Sequence, residues 1–230
     1  MAKLPFSIFG REPFEDQNVF TFGKRKELYA EDFERGVARI GGLGRHPHYF
    51  FTYLLGARAL VNNGTASGTY DDLGLPAFYL QRHATELLLK RLLDWCHQLV
   101  EVESAAGNFS FKFTNGEIQR LQRSHNLSQL FADLERVTTV LGYTPPKEIA
   151  LLVRTICRYE ITETFSRYSS SEKGQTVVRH VDEEVALPVL ELQTLLERAA
   201  EVSLFQAHQE ESFEITLHNA WHKRTFFDLP

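Results

Sequence analysis

The stretch YLQRHATELLLKRLLDW, residues 79–95, constrains the fold more than any other part of the chain. Its leucines cover most of the circumference of an α-helix, and a helix that is apolar nearly all round lies inside a bundle of other helices. Proline suits the opening turn of a helix, so we expect this helix to begin near Leu75 or Pro76 and to run to about Glu101. A buried helix of this length predicts a mainly α protein.

Further helices are predicted on both sides of this central one. The apolar spacing and the capping residues predict them over HPHYFFTYLLGARALVNNG, ending at Asn63–Gly64, over HNLSQLFADLERVTTVLGY and TPPKEIALLVRTICRYEIT, and over about Leu187–Gln209 and Ser212–Trp221. Strands are predicted in two places only. Phe109, Phe111 and Phe113 alternate with polar residues, which indicates a short strand, and TFSRYSS, SEKG and QTVVRHV together indicate a β-hairpin.

One domain is expected for the 230 residues, of which 43% are hydrophobic, because that length and composition suffice for one sizeable core. No internal repeat, low-complexity tract or linker divides the sequence. We therefore predict a single domain over 1–230, with its core at about 45–210 and an irregular N-terminal segment at about 1–24.

Composition and short motifs also limit the predicted ligands, cellular location and cofactors of the protein. A net charge of -5 argues against broad binding to a polyanion, although it permits a local arginine cluster. The first residues contain no apolar run long enough for a signal peptide, and no apolar run reaches the roughly 18 to 20 residues that a membrane span requires. We therefore predict a cytoplasmic location without a membrane partner. Cys96 and Cys157 belong to no metal or disulfide framework, and no nucleotide-cofactor motif is present. We predict neither a metal nor a cofactor.

Charged residues form a ribbon along the central helix. Arg82, Glu86, Lys90 and Asp94 are spaced by four and alternate in sign, and His97 and Glu101 continue the series. One interpretation is a solvated stripe in which each exposed pair contributes about 0.3 to 0.5 kcal/mol. The other is that the ribbon, together with His83, lines a groove or a subunit interface and binds a ligand.

Three segments in order resemble bacterial proteins of the HEPN superfamily: LPAFYLQRHATELLLKRLL, RSHNLSQLF and ICRYEITETFSRYSSSEKG. In that superfamily a long helix of the R-H-x-x-E-L-x-L-K type is followed by an H-N-L or H-D-L element, and the resemblance covers about residues 74–180. It implies a HEPN-like helical bundle that pairs as a homodimer. It also implies a place in a bacterial nucleic-acid-related or antiphage defence system of the toxin type.

The resemblance implies two possible activities. Many members are metal-independent ribonucleases that carry an R-x4-6-H motif late in the bundle, and others are non-catalytic partners or nucleotide-binding modules. Arg154 and Arg158 occupy the corresponding helix here, but no histidine lies four to six residues beyond either. This departure favours a binding module that holds RNA, a nucleotide or a partner protein encoded nearby. A metal-independent endoribonuclease that leaves 2',3'-cyclic phosphate ends is the alternative.

The motif spacing does occur elsewhere, because His125 follows Arg120 by five residues in RLQRSH. These two residues are the catalytic candidates, with the imidazole as proton acceptor and the guanidinium at the phosphate. The pair precedes the H-N-L helix rather than lying in the later one. The alternative is that His125 orients the chain as it enters that helix.

Arg154 and Arg158 share a helix face, and Arg167 and Tyr168 follow them in the chain. One interpretation is an anion site for phosphate, with the tyrosine as a stacking surface. The other is that these arginines form ion pairs with Glu160, Glu163 or the carboxylates of the charged helix.

Overall fold

The computed structural model describes residues 26–38, 49–161, 165–166, 170–173, 176–179, 181, 183–204 and 212–226. The predicted irregular segment at about 1–24 lies outside these residues. Within them the structure contains α1 (Lys26–Glu34), α2 (Tyr49–Ser67), α3 (Tyr70–Ala105), α4 (Asn115–Arg123), α5 (Leu127–Val140), α6 (Lys147–Tyr159), β1 (Ser170–Lys173), β2 (Thr176–Arg179), α7 (Val189–Leu204) and α8 (Phe213–Phe226). The prediction of a mainly α protein is confirmed.

Helix α3 is the centre of the bundle, as its leucines predict. It packs against α2, α5, α6, α7 and α8, and Leu88, Leu89 and Leu92 are fully buried among them. Helices α6 and α7 also pack against each other, and α5 packs on α6. One hydrophobic cluster is shared by all of these helices, so α3 presents different sides to different neighbours.

The junction between α2 and α3 differs from the prediction. Helix α2 does not end at Asn63–Gly64 but continues to Ser67, and α3 begins at Tyr70, ahead of Pro76. Gly64 lies inside α2, where a Cβ atom would come within 3.0 Å of the ring of Tyr70, so the glycine allows this ring to pack closely against the helix. The glycine was therefore a packing residue rather than a helix stop.

The predicted strand over Phe109–Phe113 is wrong. These residues form an irregular connection between α3 and α4, and no strand pairs with them in the part of the chain that the structure describes. The phenylalanines alternate because Phe111 and Phe113 pack against the core, with their ring centroids 5.3 Å apart. The next residues form α4, which begins at the capping box of Thr114 and Glu117 and was not predicted.

Two short strands follow α6. Strands β1 and β2 are antiparallel, with Ser170 opposite Arg179 and Lys173 opposite Thr176. Residues 174–175, which connect them, lie outside the described part.

Burial also affects the ionisation of the cysteine thiols. Cys96 is fully buried on α3, and burial raises the pKa of its thiol to about 12. Cys157 on α6 is partly exposed, and both cysteines are free. Among the helices described, none combines the length and apolar character that crossing a bilayer requires.

Candidate functional site

The charged ribbon of α3 is buried at one end and exposed at the other. Arg82 is 4% exposed and Glu86 is 2% exposed, whereas Asp94 and Glu101 are exposed to solvent. Lys90 lies between them and is partly buried. The solvated-stripe interpretation therefore holds only for the far end of the ribbon. The near end belongs to a polar cluster, here called the Glu86 cluster, of Arg82, His83, Glu86, Lys90, His125 and Glu160.

Glu86 is the centre of this cluster. Its Oε1 accepts a hydrogen bond from Lys90 Nζ at 2.8 Å and lies 3.0 Å from Nδ1 of His125. Its Oε2 accepts from Arg82 Nη1 at 3.3 Å. His83 Nδ1 lies 3.9 Å from Oε2, which is an ion-pair distance rather than a hydrogen bond. One buried carboxylate thus contacts four side chains that carry or accept a positive charge.

Arg82 connects three elements of the fold through one guanidinium. Its Nε donates to Glu160 Oε1 at 2.5 Å, at the end of α6, and its Nη2 donates to the backbone carbonyl of His125 at 2.6 Å. Lys90 Nζ adds a bond of 2.9 Å to the carbonyl of Gln122. The cluster therefore holds the α4–α5 connection and the end of α6 against α3. Arg82 and Glu86 therefore both contact His125, whereas Lys90 contacts Gln122, which precedes it.

His125 is the exposed member of the cluster, with 52% of its side chain accessible. It immediately precedes Asn126, whose side chain caps α5 by accepting from the backbone N–H of Gln129 at 2.9 Å. When Nδ1 carries the proton and donates it to Glu86, the lone pair of the neutral imidazole is on Nε2. A carboxylate that fixes the tautomer and orientation of an imidazole is the arrangement that general-base histidines use.

Glu86 is ionised despite its burial. Burial by itself raises the pKa of a carboxyl group, but contacts with His83 and Lys90 and the charges of Lys90 and His125 outweigh this, and they lower the pKa of Glu86 to about 2. The carboxylate therefore stays charged over the whole physiological range, so it can hold the imidazole continuously.

This shift predicts an acid-sensitive fold. The folded pKa of about 2 lies below the ordinary value of 4.5, so the unfolded chain binds the proton first as the pH falls. The contribution of Glu86 to stability is complete above about pH 5 and is lost progressively towards pH 2. We expect the urea midpoint of the wild-type chain to fall through this window. The midpoint of Glu86→Gln should fall less steeply.

The matched control for this measurement is Glu101→Gln, which removes an exposed carboxylate from the same helix. It should keep the wild-type slope of midpoint against pH. An equal slope for wild type and Glu86→Gln would show that Glu86 does not contribute to the acid sensitivity.

Arg120 does not join His125 at a common site. Its Nη1 lies 2.9 Å from Asp133 Oδ2 on α5, and this hydrogen-bonded pairing raises the pKa of Arg120. Burial of Asp133 opposes its ionisation, but Arg120 and Gln129 hydrogen-bond to it and hold its pKa below the usual range. The two members of the R-x4-H string are engaged with different carboxylates, Asp133 and Glu86. The structure thus gives Arg120 a role in fastening α4 to α5.

No family model matches the chain. No curated protein and no solved structure matches it either.

Arg154 and Arg158 are exposed on α6 and do not enter the Glu86 cluster. Neither forms an ion pair with any residue that the structure describes, and Arg158 Cζ lies 5.7 Å from the ring centroid of Tyr159. Glu160, one of the carboxylates predicted to pair with them, accepts from Arg82, and Glu163 lies outside the described residues. The remaining two members of the predicted anion site, Arg167 and Tyr168, lie outside the described residues.

Two features of the site were missed from the sequence. Glu160 binds Arg82 from 78 residues away, and no local spacing indicates such a partner. Ser128 Oγ lies 3.3 Å from Cys157 Sγ, which brings the first turn of α5 against α6. Burial raises the pKa of Cys157, so this sulfur is a thiol rather than a thiolate nucleophile at neutral pH.

His83 is packed among aromatic rings beside Glu86. Its ring is edge-on to Tyr53, with centroids 4.3 Å apart, and parallel to Tyr79 at 5.9 Å. The imidazole is partly exposed, so it borders the same polar region as His125. Packing on both sides limits its movement, and this favours a fixed position.

His218 and His222 lie four residues apart on α8, a spacing that suits a metal ion. His218 packs against Trp95, with ring centroids 5.1 Å apart, and the mutually tilted rings of His222 and Phe226 have centroids 4.7 Å apart. Over the described ranges, no group of three or more His, Cys, Asp or Glu side chains is placed to hold a metal ion.

Proposed function

We propose that the chain is a HEPN-like helical bundle with a short β-hairpin insertion that binds RNA at the surface around His125. It acts as a homodimeric, cytoplasmic module of a bacterial nucleic-acid-related or antiphage defence system of the toxin type. The order of the three HEPN-like segments supports this family and context. The half-exposed imidazole of His125, held by the ionised Glu86, supports the location of the site.

Two exposed arginines lie on α6, the helix whose end Arg82 holds to the segment of His125. Arg82 bridges the carbonyl of His125 and the carboxylate of Glu160, so the start of α5 and the end of α6 lie within the span of one guanidinium. Arg158 is two residues from Glu160 and is exposed. Arg154 lies one helical turn earlier on the same face.

These two arginines are suited to phosphate. Each guanidinium offers up to five N–H donors in a planar fork, and neither is neutralised by a described carboxylate. The cations of the Glu86 cluster are different, because Glu86 and Glu160 already balance them. RNA phosphates are therefore expected on α6, with a ribose or base near His125. A site with few phosphate contacts is compatible with the overall charge of -5.

We expect the double variant Arg154→Glu/Arg158→Glu to bind short single-stranded RNA about 100-fold more weakly than wild type. Each lost charged hydrogen bond contributes at least about 1.4 kcal/mol, which is tenfold in affinity. The dependence of log Kd on log salt should also become shallower. Fluorescence anisotropy with a labelled RNA of mixed sequence, at several salt concentrations, measures both effects.

The matched control is Lys147→Glu/Arg198→Glu, which reverses the same number of charges near the opposite end of α6. Its RNA affinity should stay within a few-fold of wild type. Equal weakening by both double variants would mean that total charge, not the surface at His125, governs binding. A wild-type chain that binds no RNA would refute the proposal.

Endoribonuclease activity is the second candidate, and the His125–Glu86 pair favours it. The neutral imidazole would take the proton of a ribose 2'-hydroxyl as its oxygen attacks the adjacent phosphorus. The bond from phosphorus to the 5'-oxygen then breaks, that oxygen takes up a proton, and a 2',3'-cyclic phosphate remains. Arg158, one of the two exposed arginines of α6, would stabilise charge on the phosphate.

A further inference from the structure

A pocket of about 170 Å³ lies between α3 and α4, immediately beyond Lys90. Its apolar wall consists of Leu93 and Leu121, which are buried, and Ile118, which is partly buried. Apolar cavities of about 150 Å³ hold one benzene-sized ring, so this pocket suits a single flat ring system.

The helices on either side of the pocket are fastened in place. Thr114 and Glu117 fix the first turn of α4 through hydrogen bonds of 2.8 Å and 3.2 Å, and Arg120 binds Asp133. At the other end of α4, Lys90 Nζ binds the backbone carbonyl of Gln122. Lys90 thus joins α4 directly to α3, and Arg120 joins it to α5, so the space between α3 and α4 is present before a ligand binds, which lowers the entropic cost of filling it.

Polar groups on the rim limit the class of occupant. They are Lys90, Asp94, His97 and Gln122. Asp94 is exposed, accepts from Gln98 Nε2 at 3.0 Å through one oxygen, and has further acceptor capacity on its carboxylate. A carboxylate on the rim repels a phosphate but accepts hydrogen bonds from N–H groups. The occupant that fits is flat and apolar on its faces, with N–H donors on its edge.

We propose that this pocket is a subsite for one nucleobase that carries an amino group, with guanine, adenine and cytosine as the class. The inference rests on the proposed RNA function and adds base selection to it. Unpaired bases are recognised by contact of their faces with side chains and by hydrogen bonds to their edges. Uracil presents mainly carbonyl oxygens on its edge and is disfavoured beside Asp94.

The position of the pocket connects it to His125. Lys90 forms its boundary and also binds Glu86, and Gln122 is three residues before His125. A base held here places its own backbone close to the imidazole. The pocket therefore selects which nucleotide lies beside His125.

The test uses the full chain and free nucleosides, so it does not depend on RNA binding. Isothermal titration with guanosine, adenosine, cytidine and uridine should give the weakest binding for uridine. Ile118→Trp, which fills the pocket, should weaken binding of the amino-bearing nucleosides at least tenfold. Asp94→Ala should weaken it about tenfold and reduce the preference over uridine; Asp94 is exposed, so this variant should fold normally.

The matched control is Leu151→Trp, which enlarges an exposed leucine in the groove between α6 and α7 and should leave nucleoside binding unchanged. Absence of nucleoside binding by wild type, or binding that neither Ile118→Trp nor Asp94→Ala changes, would overturn the subsite. The RNA proposal fails separately: a chain that binds guanosine in the pocket but no RNA keeps the subsite and loses the RNA function.

Discussion

Replacing Glu86 with leucine is expected to destabilise the fold by about 3 kcal/mol, the low end of the range for breaking a buried ion pair. The variant leaves Arg82 buried with one carboxylate partner fewer and removes the acceptor of Lys90 and His125. The expected loss of unfolding free energy stays near this low end, because Arg82 still pairs with Glu160 and Lys90 is partly exposed to solvent. The free energy of unfolding from urea titration at neutral pH measures this change.

The matched control is Glu101→Leu on the same helix. Glu101 is exposed and its only described partner is His97 at 3.6 Å, so its loss should change stability by less than about 0.5 kcal/mol. The double variant Arg82→Met/Glu86→Leu should lose less than the sum of the two single variants, because it removes both charges of a contacting pair. Additive losses would show that the two residues stabilise the fold independently.

The central helix and its charge pattern were predictable because both depend on local spacing. A run of leucines indicates a buried helix, and charges four residues apart meet on any helix, as Arg82, Glu86 and Lys90 do. Local spacing does not show which end of a ribbon the rest of the protein covers. That depends on where the α4–α5 connection and the end of α6 pack, which are contacts across 39 to 78 residues.

The same limit applies to Arg120, which the R-x4-H spacing placed in one catalytic site with His125. Four residues separate Arg120 from His125, but α4 ends at Arg123 and the chain changes direction before His125. Arg120 is therefore directed to α5, where it binds Asp133, while His125 meets Glu86 on α3. A spacing rule applies within one helix and fails across its end.

The strand predicted at Phe109–Phe113 failed for a related reason. Alternation of apolar and polar residues indicates a strand only when a second strand is available to pair with it. Here the alternate rings of Phe111 and Phe113 contact the core of the bundle instead, so an irregular segment buries them without forming a sheet.

If the chain cleaves RNA, His125→Ala is expected to reduce the rate by about 10² to 10⁴, the usual contribution of a positioned acid–base group. The purified chain is incubated with a mixed RNA pool in excess EDTA, and the ends are analysed for the 2',3'-cyclic phosphate that attack by the 2'-oxygen leaves. The isolated wild-type chain should be weakly active, because its arginines lack the late histidine of the R-x4-6-H motif.

Three variants separate the chemical role of His125 from its structural one. His125→Gln retains an amide that can donate to Glu86 but provides no base, so it should be as inactive as His125→Ala while unfolding at the wild-type temperature. Arg158→Ala should slow cleavage at least tenfold. Arg120→Ala should cleave at the wild-type rate, because Arg120 binds Asp133 rather than the site.

The chemical ends of the RNA products distinguish cleavage by this chain from cleavage by a contaminating nuclease better than the cleavage rates do. A contaminating metal-dependent nuclease would stop in EDTA and would not respond to His125→Gln, whereas a cyclic phosphate that disappears in both His125 variants must come from this imidazole. Should wild type leave every RNA intact, alone and with any protein encoded beside it, the ribonuclease candidate is refuted. In that case the imidazole held by Glu86 would bind RNA without cleaving it. This binding role would be assigned to His125 if His125→Ala lost RNA affinity and Arg120→Ala kept it.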